Sequence, residues 1–286
     1  MTATIAHTLD DACAALALRP DAVVLAGGTD LMVEANRGAR DMADVVVVDR
    51  VPELRGWTRD GDVLRIGAAV TCAEMSGGEP AALVPALAQA ARTVGSPQIR
   101  NAATIGGNLG TASPAGDTLP VLAALDAVVE VRSATGTRDV PLDEFLIGVK
   151  TTALLPGELI VAVRVPVLDG PQEFLKVGTR NAMVISVASL VLVVDRVGRT
   201  VRIALGSVGP TPVRATEAEV VAADRLDWSG RESLDAGSAE RVAELVAEAA
   251  RPIDDHRGTA AYRRHAVGVL AHRALRRALP DAGEAA

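Results

Sequence analysis

Short β-branched runs alternate along this chain with stretches of helical periodicity. Val45-Val46-Val47-Val48 shows no polar alternation and predicts a strand buried on both faces. Val23-Val24-Leu25 predicts another. Residues 57–58 and 63–66 flank the turn Arg59-Asp60-Gly61-Asp62, and residues 128–132 and 138–140 flank Ala134-Thr135-Gly136, so each set predicts a hairpin. A strand at 158–165 ends at Pro166, and further strands follow at 173–177, 187–195 and 200–207. Between them run amphipathic helices. Thr8-Leu9-Asp10-Asp11 has the form of a capping box and opens a helix that buries Leu9, Ala12, Cys13 and Leu16. Thr71-Cys72-Ala73-Glu74 opens a second in the same way. Helices are also expected to about Asn36 before Gly38, at 83–93 before Gly95-Ser96-Pro97, at 119–125, and at 215–221, 237–250 and 259–278. Strands followed by a helical tail make an α+β chain. Leu168-Asp169-Gly170-Pro171 reads as a linker and puts a domain boundary near residue 170.

Two stretches break this pattern, and both are rich in glycine. In the first, the strand ending at Leu25 runs at once into Ala26-Gly27-Gly28-Thr29-Asp30-Leu31. A strand, an open glycine turn and a helix start bring unpaired N–H groups together, which suits a pyrophosphate. Thr29 or Asp30 can also simply cap the helix, and the two roles are compatible. The second runs from Ala102 through Thr104-Ile105-Gly106-Gly107-Asn108 to Ser113-Pro114-Ala115-Gly116-Asp117. It is too poor in large apolar side chains for core. Its glycines let main chain approach a ligand closely, although an ordinary surface loop would use similar residues.

Composition narrows the chemistry. The net charge of −7 and the few aromatics (Trp57, Trp228, Phe145, Phe174 and Tyr262) argue against a nucleic-acid partner. Cys13 and Cys72 are too few for an iron–sulfur cluster or a four-cysteine zinc site, and nothing in their context calls for a disulfide. No apolar run approaches the roughly 20 residues of a membrane span, and the first residues lack the pattern of a signal peptide, so the cytoplasm is the expected compartment. There is no Gly-x-Gly-x-x-Gly after a strand, no Walker loop, no His-Glu-x-x-His and no Gly-x-Ser-x-Gly. His265 and His272 share a helix face, but packing or surface roles suit them better than metal binding. Two phosphate cradles without acid–base machinery suit a protein whose cofactor does the chemistry.

Taken together, Ala26-Gly27-Gly28-Thr29-Asp30-Leu31, Ile99-Arg100-Asn101-Ala102-Ala103-Thr104-Ile105-Gly106-Gly107-Asn108 and Ser113-Pro114-Ala115-Gly116-Asp117 resemble the FAD-binding medium subunit of the molybdenum hydroxylases, of xanthine dehydrogenase and aerobic carbon monoxide dehydrogenase type. Phe145-Leu146-Ile147-Gly148-Val149-Lys150-Thr151-Thr152 with Leu155-Pro156-Gly157-Glu158, then Lys176, Ile185-Ser186-Val187-Ala188, Gly209-Pro210-Thr211-Pro212-Val213-Arg214 and Tyr262-Arg263-Arg264-His265, extend the resemblance over essentially the whole chain.

The resemblance implies an FAD-binding domain of p-cresol methylhydroxylase and vanillyl-alcohol oxidase type at 1–170, in two parts of roughly 1–54 and 55–170. A smaller α+β flavoprotein C-terminal domain would follow at 171–286. It implies noncovalent FAD in this chain, with [2Fe–2S] clusters on a small partner subunit and molybdopterin on a large one, in a heterotrimer that passes electrons to NAD or another acceptor. It assigns FAD contacts to Val24, Leu25, Ala26, Gly27, Gly28, Thr29, Asp30 and Leu31, and to Thr104, Ile105, Gly106, Gly107 and Asn108. Asp117, Leu155 and Lys176 complete the set. No catalytic or metal-ligating residue is expected. A carboxylate only accepts hydrogen bonds, so Asp117 is expected on a hydroxyl or amine, or as the cap of the helix after it. Lys176 would place positive charge near the flavin. Val94 stands where some eukaryotic xanthine-oxidising relatives stack a phenylalanine. Gly28-Thr29-Asp30 sits closer to the xanthine type than to the carbon monoxide type. A free-standing flavin oxidase and a non-enzymatic nucleotide-binding protein are the other classes weighed. The first would need a substrate base that the chain does not display.

Overall fold

A computed structural model describes residues 2–229 and 233–279, and the chain forms two compact units, each assembled from separated stretches of sequence. The first takes in residues up to 75, 96–113 and 126–166; the second takes in 76–95, 114–125 and the chain from 167 onward.

The first unit holds three sheets. β1 (Thr2–Ile5), β2 (Val23–Leu25) and β3 (Asp44–Val47) form a parallel sheet in the order β1-β3-β2. The valine run lies at its centre, with Val45, Val46 and Val48 buried as a run without polar alternation requires. Helix Leu9–Leu18 covers it, opened by the expected reciprocal box in which Thr8 and Asp11 cap each other's backbone. β4 (Trp57–Asp60), β5 (Val63–Gly67), β6 (Val128–Ser133), β7 (Gly136–Pro141) and β10 (Leu159–Pro166) form an antiparallel sheet in the order β4-β5-β10-β6-β7. Both expected hairpins are there, at its two edges. A two-stranded ribbon, β8 (Leu146–Gly148) with β9 (Thr151–Thr152), completes the unit.

In the second unit β11 (Gln172–Val177), β12 (Ala188–Asp195), β13 (Thr200–Gly206) and β14 (Val213–Arg214) form an antiparallel sheet in that order. Every residue of β12 is buried, because the sheet is covered on both faces. Helices Thr216–Arg225, Ala236–Ala249 and Ala260–Ala278 build one apolar core against it. Helices Pro85–Thr93 and Thr118–Ala124 pack on the same sheet. Gln89 docks the first of these: its side-chain carbonyl accepts from the Phe174 N–H at 2.6 Å, as a neighbouring strand would.

The structure departs from the sequence pattern in places. The helix expected at 83–93 is present as Pro85–Thr93, beginning at Pro85 because proline cannot continue a helix but starts one well, and a separate helix that was not expected, Gly78–Leu83, precedes it. The glycine-rich stretch after Ala102 contains a helix, Ile105–Thr111. β1, β8, β9 and β14 were not expected. Among the described residues no helix is long and apolar enough to cross a membrane, and no cluster of His, Cys, Asp or Glu could hold a metal ion. Cys13 and Cys72 are buried and form no disulfide with each other.

Candidate functional site

The first glycine stretch and residues 102–113 of the second meet in the first unit, while residues 114–117 belong to the second unit. After β2 the chain turns through Gly27 and Gly28, the latter at φ +68°, and enters helix Leu31–Asn36. A Cβ added at Gly27 would land on the Ala102 carbonyl, so this turn lies against the main chain just ahead of Thr104. No side chain could stand between the two.

The N–H groups of Gly27, Gly28, Thr29 and Asp30 find no acceptor among the described residues. Asp30 precedes the helix, but its side chain makes no capping bond. Four consecutive main-chain donors left open beside a cleft form a nest for an anion.

The second stretch is built differently. Thr104 is the N-cap of helix Ile105–Thr111, and its hydroxyl accepts from the Gly107 N–H at 2.9 Å. Ile105 N–H donates to Val70 O at 3.0 Å, Gly106 N–H to Ala68 O at 2.8 Å, and Asn108 N–H to Thr104 O at 3.0 Å. The donors of this helix start are therefore engaged within the protein. Its glycines serve close packing instead: a Cβ at Gly106 would come within 2.7 Å of both Cβ and O of Ala68.

Between the stretches lies a cleft of about 350 Å³, lined entirely from the first unit. That volume sits at the lower end of the roughly 300–1,000 Å³ of small-molecule sites. Val24, Leu25, Ala26, Gly27, Gly28, Thr29, Asp30 and Leu31 line one side, and Thr104, Gly106, Gly107 and Asn108 line the other. Ile105 does not line it; it is fully buried behind the wall. Leu155 is 60 % exposed and also outside the lining, although its neighbours Leu154 and Glu158 belong to it.

Four charged lining residues were not singled out from sequence: Glu34, Arg40, Lys150 and Glu158. Lys150 Nζ lies 2.5 Å from Glu34 Oε1, and this contact holds the Glu34 carboxyl below its ordinary value. The signal for Lys150 was its place in the motif after Phe145. Glu158 is paired away from the cleft's own cations. Arg138 grips it through Nε and Nη2, both at 2.7 Å, and the Leu155 N–H adds a third bond, so its carboxyl is also lowered.

Asp117 and Lys176 belong to the second unit and do not line this cleft. They pair with each other: Lys176 Nζ is 2.5 Å from Asp117 Oδ2 and 3.2 Å from the Thr93 carbonyl oxygen. Both side chains are more than nine-tenths buried. Asp117 stands before helix Thr118–Ala124 without capping it, and its Oδ1 is buried with no hydrogen-bond partner among the described residues. Burial pushes this carboxyl upward, against the opposing pull of Lys176.

With the geometry in place, comparison with known proteins adds the following. Residues 1–168 match the family described as the FAD binding domain in molybdopterin dehydrogenase. Residues 174–278 match the CO dehydrogenase flavoprotein C-terminal domain. The chain is 31% identical over 289 residues to the xanthine dehydrogenase FAD-binding subunit of Escherichia coli O157:H7, covering 97% of this chain and 96% of that one. It is also 31% identical to the carbon monoxide dehydrogenase medium chain of Hydrogenophaga pseudoflava, covering 90% and 89%. Among solved structures, quinoline 2-oxidoreductase from Pseudomonas putida 86 superposes with a TM-score of 0.89 at 25% identity, covering 98% of this chain and 96% of that one.

Proposed function

The chain belongs to the FAD-binding medium subunits of the molybdenum hydroxylases, and from that premise we propose that it holds FAD noncovalently in the cleft of its first unit and relays electrons there. In this reading the electrons come from [2Fe–2S] clusters of a small partner subunit, which receives them from a molybdopterin-bearing large subunit. They leave to NAD or another acceptor, and the complex is a heterotrimer in the cytoplasm.

The observation that carries the proposal is the run of four open N–H groups from Gly27 to Asp30, in residues that line the cleft, with Gly27 closed against Ala102. These donors would hold the pyrophosphate, and the absent Cβ at Gly27 is what lets the turn close on Ala102. Val24, Leu25, Ala26 and Leu31 would form the wall on that side, and Thr104, Gly106, Gly107 and Asn108 the wall opposite. Ile105 would support that wall from the core, and Leu155 would lie at the rim. The resemblance assigns Asp117 and Lys176 to the same cofactor, and the supporting feature is Asp117 Oδ1, buried and ready to accept from a hydroxyl or N–H. When bound, FAD supplies redox chemistry that links one-electron donors to two-electron acceptors. The residues named here bind and orient it, and none of them moves a proton.

Gly28-Thr29-Asp30 favours a xanthine dehydrogenase-like complex over a carbon monoxide dehydrogenase-like one. The division near residue 170 belongs to the same reading. Purified chain should show flavin absorbance in the visible, released intact by denaturation, and iron–sulfur and molybdenum subunits should copurify. A colourless protein with no affinity for added FAD would refute the cofactor assignment. A yellow chain that turns over substrate without partners would favour a free-standing oxidase.

A further inference from the structure

Lys150 lines the cleft and is bonded to the chain on both of its glycine-bearing sides. It follows β8 in the ribbon and takes φ +52°, a left-handed conformation that long side chains seldom adopt. Its N–H donates to the Ala112 carbonyl at 3.0 Å, where helix Ile105–Thr111 ends in a second left-handed residue, Ala112 at φ +44°. Its ammonium reaches Glu34, on the helix that follows the Gly27-Gly28 turn. Both side chains line the cleft yet stay substantially exposed, 56% for Lys150 and 32% for Glu34, which puts the pair at the mouth.

Resting on the reading that the cleft holds FAD, we propose that the Lys150–Glu34 ion pair is a clasp across the mouth of the cleft, and that Lys150 is a positioning residue whose task is to slow release of the bound dinucleotide. The backbone supports this. The left-handed turn at Lys150 fixes the ribbon to the far wall through Ala112, so the side chain has only to bridge to the near wall. An ion pair this exposed is weak and screened by salt. Its opening would therefore be frequent, and its effect would fall on a rate of escape rather than on whether FAD binds.

The test uses the full chain loaded with FAD. Release is followed as an excess of an unrelated apo-flavoenzyme captures each freed FAD and regains its own activity. Glu34→Gln and Lys150→Gln should each speed release about two- to fivefold. The double variant should be no faster than either single one, since both remove the same contact. Lys150→Arg should stay close to the unmodified chain, and the charge exchange Glu34→Lys with Lys150→Glu should recover most of the loss. Added salt should speed release from the unmodified chain and leave the single variants almost unchanged. Unaltered release in the single variants would overturn the clasp, and so would effects that multiply in the double variant or a salt response that persists in all of them. The outcome separates the two levels of inference. Failure of the unmodified chain to bind FAD sinks the cofactor reading, whereas normal binding with identical release rates sinks the clasp alone.

Discussion

The close approach at Gly27 gives the sharpest test of the site. Gly27 has no left-handed backbone, so alanine there meets no torsional penalty. What it meets is the Ala102 carbonyl, with Ala102 C and Ala103 N close behind. All three are main-chain atoms, so no flexible side chain can swing away, and the two segments must separate. Forced overpacking of this kind costs about 1–3 kcal/mol, and a clash with main chain belongs at the upper end. For a chain of this size that corresponds to a fall in Tm of about 6–12 °C for 3 kcal/mol. Separating the segments also moves the open N–H groups away from the opposite wall, so FAD affinity should fall at least about tenfold, or about 1.4 kcal/mol. Gly38→Ala is the control. Gly38 sits at φ +67° with nothing within 4 Å of an added Cβ, so it incurs only the left-handed penalty of about 1–2 kcal/mol and should leave FAD affinity alone. Thermal unfolding of the apoprotein and a fluorescence titration with FAD measure both quantities. If Gly27→Ala melts with the unmodified chain and binds FAD as tightly, the two glycine stretches do not share a cleft in the way described.

Lys176→Met should cost about 3–5 kcal/mol in denaturant unfolding, because it leaves the buried Asp117 carboxylate without its cation, while adding Asp117→Asn should restore part of that loss. In Lys176→Met only the Thr93 hydroxyl still opposes the upward push of burial on Asp117, so its contribution should be greatest below the ordinary carboxylate pKa and be lost as pH rises through the raised folded value. Glu158 has the opposite sign. Arg138 and the Leu155 N–H lower its folded pKa, so its contribution is present above the ordinary carboxylate value and is lost as pH falls through the lowered one. Glu158→Gln should therefore flatten the acid side of a plot of Tm against pH, and an acid limb identical to that of the unmodified chain would show that the Arg138 grip contributes nothing.

Local pattern carried much of this fold. The hairpins of β4 with β5 and β6 with β7, the capping boxes at Thr8 and Thr71, and the buried runs of β3 and β12 all lie where periodicity and turn chemistry place them. What escaped was set by contacts distant in sequence. Nothing near Pro85–Thr93 announces that Gln89 will serve as an edge partner for Phe174, so the packing of that helix on the second unit's sheet could not be read locally. Helix Ile105–Thr111 was hidden for a related reason. Three of its seven residues are glycine, each about 1 kcal/mol poorer than alanine as a helix former, yet the Thr104 cap and main-chain bonds to Val70 and Ala68 hold its first turn in place. Lys150 and Glu34 lie 116 positions apart, beyond the reach of any spacing rule.

The two glycine stretches also show how one composition can serve two physical ends. From sequence they were alike, each a loop whose glycines could admit a ligand to open N–H groups. In the fold, Gly106 is required because Ala68 lies against it, and the donors around it are already bonded to carbonyls of the same unit and to the Thr104 hydroxyl. Gly27 is likewise required by a neighbour, Ala102, but the donors from Gly27 to Asp30 stay open. An anion entering the cleft therefore finds its main-chain hydrogen bonds on the β2 side, while the other wall supplies shape. If that division holds, substitutions that perturb the turn after Leu25 should weaken FAD through its phosphates. Such variants should also lose affinity for ADP, which shares those phosphates, in proportion. Substitutions at Gly106 or Gly107 should lower stability first, and affinity only as the wall gives way. Competition by ADP against FAD across the two sets of variants separates these cases, and equal loss of ADP affinity in both sets would return the second stretch to the role of a phosphate cradle.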